Sequence, residues 1–207
     1  MAVPGRRNGL MEDDEIEDDF LEVEETEEVE EDSDIPPHLR PLAEAAQRGD
    51  ADALRLALDD YNGSIDDPVE DGDTVLHLCC LYGYLPCVQI LLERGASIEC
   101  RDEEGAIPLH DACAGGFIEI VKLIIEHARD PDFVKRMLDT TDVEGDTPLH
   151  HAARGEHLDV VQLLLSFGAS PKTTNLFGKT PAELADADTQ VRRFLETLVA
   201  TGSVTSQ

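Results

Sequence analysis

Short apolar helices joined by glycine-containing turns form a motif that is clearest between residues 142 and 172. A first helix is predicted after Thr147 and Pro148, because Thr147 can cap the helix with its hydroxyl and proline suits the first helical position. Gly155 ends this helix, and Gly168 ends a second one. The residues at helical spacing on the inner faces are Leu149, Ala152, Ala153, Val160, Val161, Leu164 and Leu165. Two such helices cannot bury their apolar faces alone, so the motif predicts stacked copies.

Copies of the motif are present on both sides. Four glycines hold equivalent places, Gly72, Gly105, Gly145 and Gly178, and three histidines, His77, His110 and His150, keep the same spacing as the first three of them. The helices after these glycines begin with TVLH, IPLH, TPLH and TPAE. A period of about 33 residues, longer only between the second and third copies, with a TPLH-like helix start resembles the ankyrin-repeat family. This resemblance implies an all-α repeat solenoid in which turns, here called fingers, project along one side, and it implies protein binding without catalysis.

The predicted organisation is a disordered acidic arm at residues 1–34, an ankyrin stack at 35–200 and a flexible tail at 201–207. About five repeats are expected, at about 38–68, 69–100, 101–141, 142–174 and 175–200, with a degenerate first and last repeat. Ile107 replaces the capping threonine in the third repeat, so that helix start is expected to lack a side-chain acceptor. The third repeat also carries an insertion at about 126–141. This insertion is either a contact loop or a structural extension whose charges pair locally.

The charge and the cysteine content narrow the classes of partner and the compartments to be expected. The formal net charge is −30, which repels nucleic-acid phosphates and anionic lipid and attracts basic proteins. Five cysteines without a CxxC pair are interpreted as small, reduced core residues rather than metal ligands or disulfides. No signal peptide or membrane-spanning stretch is recognised. A monomer in the cytosol or nucleus is therefore expected.

Candidate chemistry is sparse. His77, His110 and His150 recur with the repeat, and the family resemblance makes them structural links between fingers. Adjacent histidines on one helix point about 100° apart, so His150, His151 and His157 form no obvious metal trio. No nucleophile elbow, phosphate-binding glycine loop or paired catalytic carboxylates are recognised. We therefore expect no catalytic residue, no metal and no cofactor.

Protein binding is expected at the fingers and at the first helix of each repeat, which line the concave face in the family. The acids of the fingers are Glu70, Asp71, Asp73, Asp102, Glu103, Glu104, Asp142, Glu144 and Asp146. The concave-face candidates are Leu78, Leu81, Tyr82, Asp111, His151 and Arg154. These residues form either an acidic binding face with an apolar anchor or a solvated rim.

The acidic arm offers a second contact. From Glu12 to Asp34, more than two thirds of the side chains are acidic and none is basic. The arm candidates are Glu12, Asp13, Asp14, Phe20, Glu24, Glu27 and Glu28. Ile16, Phe20 and Val23 share one helical face, so the arm either folds against a basic, partly apolar client or only solubilises the protein.

Three functions follow from these features. The first is an escort for a basic client of the ribosomal-protein or histone type. The arrangement is similar to small ankyrin-repeat chaperones of ribosomal proteins, although here the arm precedes the repeats. The second is an adaptor or inhibitor that binds by shape and apolar contacts. The third, an enzyme, has no recognisable domain.

Overall fold

A computed structural model describes residues 35–202. The predicted acidic arm, with all of its candidate residues, and the last five residues lie outside this range. The helices within it are α1 (Arg40–Arg48), α2 (Ala51–Asp60), α3 (Val75–Leu81), α4 (Leu85–Glu93), α5 (Pro108–Ala114), α6 (Ile118–Ala128), α7 (Pro131–Leu138), α8 (Pro148–Arg154), α9 (Leu158–Ser166), α10 (Pro181–Leu184) and α11 (Gln190–Thr201). None of these helices is both long and apolar enough to cross a bilayer.

The helices form two layers. The inner helices α1, α3, α5, α8 and α10 pack against one another in chain order, and so do the outer helices α2, α4, α6, α9 and α11. Each inner helix also contacts the outer helix that follows it. Because these contacts join each helix pair to its neighbours, the core is a continuous seam between repeats. The predicted all-α repeat solenoid is confirmed, with five helix pairs in the described residues.

Small side chains fill the seam between the inner helices. Cys79, Cys80, Ala112, Cys113, Ala152 and Ala153 occupy equivalent places and are each 0% exposed. Residues of this size let helix backbones approach closely. All five cysteines are free; Cys87 is also buried and Cys100 is half-buried. The predicted core role of the cysteines is thus confirmed for all but Cys100.

Histidine rings link the second, third and fourth repeats to the repeat that follows each of them. The Nδ1 of His77 accepts a hydrogen bond from the Thr74 N–H at 3.1 Å. Since Nδ1 accepts there, the proton is on Nε2, which donates to the carbonyl of Ala106 in the next finger at 3.4 Å. His150 repeats the link to the Lys179 carbonyl at 3.2 Å. Each ring therefore orders its own helix start and the following finger at once.

Of two predictions about helix starts, one was wrong and one is confirmed. Thr147 stands at the N-cap, but its side chain makes no cap hydrogen bond to the helix backbone; its hydroxyl contacts Nδ1 of His150 at 2.8 Å. The start at Ile107 makes no side-chain cap hydrogen bond, as predicted. The Ile107 N–H donates to Nδ1 of His110 at 3.1 Å, as the Thr147 N–H does to Nδ1 of His150. The histidine therefore holds the residue before the helix in both repeats.

The insertion of the third repeat forms a helix of its own. Asp130 caps α7, and the apolar Met137 and Leu138 are each 2% exposed against the core. Lys135 pairs with Asp139 at 2.9 Å, and the Arg136 guanidinium lies 5.3 Å from the Phe133 ring centre. These contacts agree with the structural-extension interpretation.

The degenerate last repeat keeps the helix-start link in altered form. Glu183 replaces the histidine, and its carboxylate accepts from the Thr180 N–H at 2.9 Å and from the Thr180 hydroxyl at 3.1 Å. The outer helix α11 buries Val191 and Leu195. The carboxylate thus does for this helix what the histidine Nδ1 does for the others.

Candidate protein-binding surface

The finger tips lie in one row. The Glu103 N–H donates to the Asp71 carbonyl at 3.1 Å, the Val143 N–H to Glu104 at 2.7 Å, and the Leu176 N–H to Glu144 at 2.9 Å. Each bond joins a tip to the tip before it. The four equivalent glycines have φ between +71° and +81°, a region that favours glycine. The side chains of the finger tips therefore lie along one edge of the stack.

Five of the predicted finger acids are exposed at this edge: Glu70, Asp71, Glu103, Glu104 and Glu144. Asp73 and Asp102 are half-buried. Asp102 accepts a hydrogen bond from the Ala106 N–H at 2.8 Å, so it also shapes its own turn. Within residues 35–202, no finger acid of the second and third repeats lies within ion-pair distance of a basic side chain.

Asp142 was predicted to face a partner, but its carboxylate faces inward. Its side chain is 7% exposed and contacts His151 Nε2 at 2.8 Å. Its other oxygen accepts from the N–H groups of Glu144 at 2.9 Å and Asp146 at 2.8 Å. Burial alone would raise the pKa of Asp142, but the hydrogen bonds and His151 lower it. The carboxylate is occupied in holding the fourth finger.

Asp146 was also predicted to face a partner, and it is 0% exposed. Asn175 donates to one of its oxygens at 2.7 Å, and Arg154 pairs with the other. Arg154 lies 3.5 Å from Glu144 as well. The fourth finger thus neutralises its own acids with Arg154, and the prediction that Asp146 faces a partner is wrong. Arg154 is 44% exposed, so its predicted contact role stays a prediction.

Asp142, Asp146 and His151 bring ligand-type atoms within 4.8 Å of one another. Sequence reasoning missed this group, because it looked only for histidine trios. Hydrogen-bond donors already occupy the four carboxylate oxygens. The donor set therefore suits a polar network that holds the finger on its inner helix.

Asp111 of α5 combines a buried carboxylate oxygen with a raised pKa. Its Oδ2 is buried and accepts no hydrogen bond from the described residues. Burial, followed by the charges of Asp73, Asp102 and Glu104, raises the pKa of Asp111 to about 8. Burial, followed by Asp102 and the other finger acids, raises the pKa of Asp73 to about 7. This group of four carboxyls, Asp73, Asp102, Glu104 and Asp111, is called the carboxyl cluster below.

The predicted apolar anchor is smaller than expected. Leu78 is only 6% exposed and belongs to the core, because its place on α3 is covered by the neighbouring inner helices. Leu81 and Tyr82 remain 43% and 48% exposed. The Tyr82 ring lies 5.9 Å from that of Tyr84. An exposed leucine–tyrosine pair therefore remains at the end of α3.

Sequence reasoning missed a second apolar surface at the finger tips. Val143, Leu176 and Phe177 are 61%, 77% and 69% exposed. Val143 and Leu176 stand where the earlier fingers carry Glu70 and Glu103, and counting in register would have found them. The finger edge is therefore acidic in the second and third repeats and partly apolar in the fourth and fifth.

Comparison with known proteins agrees with this architecture. The family model described as ankyrin repeats (3 copies) matches residues 42–133 and 109–199. No curated protein matches the chain.

Proposed function

The chain belongs to the ankyrin-repeat family, and we propose that within this family it is a non-catalytic escort for a basic client protein. Ankyrin repeats indicate a protein–protein interaction module. The client is expected to be rich in lysine and arginine, as ribosomal proteins and histones are. The client class and the escort role are the steps beyond family membership.

The observation that carries the proposal is the unneutralised acid of the second and third repeats. In the fourth repeat Arg154 pairs with Asp146 and Glu144. In the second and third repeats the carboxyl cluster and the exposed acids around it have no such pair among the described residues. A protein surface bearing lysine and arginine supplies the missing positive charge and is steered toward this face.

The arm adds to the same charge. Residues 1–34 hold about a third of the acidic side chains of the protein and only two basic ones, Arg6 and Arg7. More than half of the net negative charge therefore lies in residues 35–207. We propose that the arm and the finger edge act on one client together.

A second candidate is an adaptor or inhibitor that selects its partner by shape and apolar contact. The exposed tips Val143, Leu176 and Phe177 favour it, together with Leu81 and Tyr82. Under this alternative the arm only solubilises the protein.

The two candidates separate in one pull-down experiment with mass spectrometry, at low and high salt. The baits are the full chain, the chain without residues 1–34, and a full-length variant with the arm acids changed to amides. The escort proposal predicts basic proteins on the full chain and weaker, less salt-sensitive capture by both variants. Little change favours the adaptor, and recovery of no basic protein at either salt contradicts the escort.

The remaining parts of the proposal concern state and compartment. We propose a monomer that works in the cytosol or nucleus, where the free cysteines stay reduced. We also propose that the protein has no catalytic activity of its own, as is typical of its family. Size-exclusion chromatography with light scattering and fractionation of cells address the first two points.

A further inference from the structure

The tips of the fingers change from acidic to apolar along their shared edge. Two residues precede the turn glycine in each finger, and both are acids in the second and third repeats, Glu70-Asp71 and Glu103-Glu104. The pair is Val143-Glu144 in the fourth repeat and Leu176-Phe177 in the fifth. Every one of these residues is exposed. These four pairs are called the tip row below.

Backbone hydrogen bonds make the tip row continuous. The Val143 N–H donates to the Glu104 carbonyl at 2.7 Å, and the Leu176 N–H donates to the Glu144 carbonyl at 2.9 Å. The Leu176 side chain also lies over the fourth finger, because a Cβ on Gly145 would be 3.0 Å from its Cγ. The apolar tips of the fourth and fifth repeats therefore form one surface, which begins directly beside the acidic tip of the third.

Neither half of the tip row is matched by other groups within residues 35–202. The acids of the second and third tips have no ion-pair partner there. Arg101, at the start of the third finger, donates to the carbonyls of Gly105 at 2.6 Å and Thr141 at 3.0 Å instead. The apolar half exposes 61%, 77% and 69% of Val143, Leu176 and Phe177. A contiguous exposed apolar surface rimmed by charge is typical of an interaction site.

From this order we propose that the tip row binds one segment of the client, with lysine or arginine at one end and bulky apolar side chains at the other. The basic end lies over the tips of the second and third repeats, and the apolar end over those of the fourth and fifth. The inference rests on the proposed function, since it describes the part of the basic client that is recognised. It adds that charge alone does not select the client.

The charge of the protein favours this occupant over others. A second copy of the chain carries the same net charge of −30 and is repelled. An acidic segment meets the acids of the second and third tips, and a purely apolar one leaves them unmatched. Only a segment of mixed character, basic at one end, complements the whole row.

The spacing of the repeats sets the length of the segment. Packed helices lie about 8–10 Å apart. The centres of the acidic and apolar halves are two repeats apart, which corresponds to roughly 20 Å. An extended segment covers that distance in about six residues at about 3.3 Å each.

The test compares acetylated peptides on the full-length chain by calorimetry. KRKRGSFLF has the proposed order, KFRGLKSFR has the same composition with the order scrambled, KRKRGSGSG is basic only and SGSGGSFLF is apolar only. We expect KRKRGSFLF to bind about tenfold more tightly than the scrambled peptide, which corresponds to the burial of about one further apolar side chain. Equal binding by the two means that charge and composition act without order, and it overturns the inference.

The direction of binding is read with a nitroxide label at either end of KRKRGSFLF. Amide NMR of the full-length chain should show the label at the basic end broadening Glu70 and Glu103. The label at the apolar end should broaden Leu176 and Phe177 instead. Broadening that does not depend on the position of the label contradicts the proposed order.

A double variant separates apolar contact from charge. Val143→Glu with Leu176→Glu gives the fourth and fifth fingers the glutamate that the second and third carry at the same place, and a thermal unfolding curve confirms that it is folded. Its added negative charge would strengthen binding if charge alone acted. We expect KRKRGSFLF to bind about tenfold more weakly and KRKRGSGSG to lose nothing. The control is Leu56→Glu, the same change at a 69% exposed leucine of α2, which should not weaken either peptide.

Two other occupants give distinct results. A dimer in light scattering that the double variant loses assigns the apolar tips to a second copy. Binding of SGSGGSFLF only after removal of residues 1–34 assigns them to the arm of this chain. Either result overturns the inference.

The outcome is separable from that of the pull-down. If the full chain and the double variant capture the same basic proteins equally well, the tip-row inference is wrong and the escort proposal stands. If the peptides show the expected order but no basic protein is captured at either salt, the tip row stands and the escort proposal is wrong.

Discussion

His110 donates a hydrogen bond from Nε2 to the carbonyl oxygen of Asp146, 36 residues later, at 3.3 Å. On its other side the same ring accepts the N–H of Ile107 at 3.1 Å. One fully buried imidazole thus connects the third inner helix to the fourth finger. This arrangement requires the neutral ring with its proton on Nε2.

Replacing His110 by alanine should be strongly destabilising. It leaves the Ile107 N–H and the Asp146 carbonyl without a partner and opens a cavity, so we expect a loss of about 2–4 kcal/mol in unfolding free energy. Urea unfolding measures this loss. The control is His127→Ala at the exposed end of α6, which should stay within about 0.5 kcal/mol. Equal effects of the two changes would show that the ring link carries no stability.

Acid should destabilise the stack, because it protonates these buried histidine rings. Burial lowers the pKa of His77 and His150, and it lowers the pKa of His110 to about 4. A lowered pKa means that the unfolded state binds protons more readily. The stabilisation is therefore complete above the unfolded pKa of about 6.5 and is lost as the pH falls toward 4. Melting temperatures between pH 4 and 7 test this, and His110→Gln should flatten the slope.

The carboxyl cluster should have the opposite effect, so that its contribution to stability falls as the pH rises. The folded pKa of Asp111 is about 8 and that of Asp73 is about 7, well above the value of about 3.9 for unfolded aspartate. The folded state thus binds more protons, and the contribution of these groups is lost as the pH rises from about 4 to 8. Asp111→Asn should remove part of this decline. An unchanged profile between pH 6 and 9 would contradict the pKa shift.

The finger glycines should differ in their tolerance of a methyl group. Gly145 and Gly178 hold equivalent turns with φ of +81° and +71°. A Cβ on Gly145 would lie 2.7 Å from the backbone nitrogen of Leu176, whereas one on Gly178 meets nothing within 4 Å. Gly178→Ala should cost about 1 kcal/mol from backbone strain alone, and Gly145→Ala clearly more. Thermal unfolding of the two variants compares them, and equal losses would mean that the fingers can separate freely.

Replacing Arg154 should destabilise the protein, because Asp146 is then a buried acid without a cation. Asp146 would keep Asn175 but lose its cation, and breaking a buried ion pair costs about 3–5 kcal/mol. Arg154 is itself 44% exposed, and solvent screens its charge, so for Arg154→Ala in urea unfolding we expect a smaller loss of about 2 kcal/mol. Lys122→Ala removes the exposed pair with Glu119 and should have little effect. Restored stability in the double variant Arg154→Ala, Asp146→Asn would confirm the reason.

The repeat period, the helix pairs and the extra helix α7 follow from the sequence, because turn glycines, helix starts and apolar spacing are local signals. The directions of single side chains do not. Asp146 and Glu104 are both acids of a finger, yet one is 0% exposed and the other is exposed. The difference comes from Arg154 and Asn175, which lie further along the chain, on the next inner helix and in the next finger.

The exposure of the predicted surface residues could not be derived from the sequence either. Leu78 and Leu81 are both on α3, less than one turn apart, and family register alone placed both on the concave face. Packing of the neighbouring helices buries the first and leaves the second 43% exposed. The unpaired oxygen of Asp111 could not be read from the sequence either, because it depends on which groups are absent around it.

The histidine–carbonyl links between repeats indicate which changes in length the ankyrin stack tolerates. Every link joins one module to the next through a backbone carbonyl, and it makes no use of the identity of the residue that supplies that oxygen. A whole module can therefore be duplicated or deleted while the remaining joints keep their chemistry. A shorter addition is also tolerated behind an outer helix: α7 lies between His110 and Asp146 in the chain, and the ring still binds that carbonyl at 3.3 Å although 36 residues separate the two instead of 29.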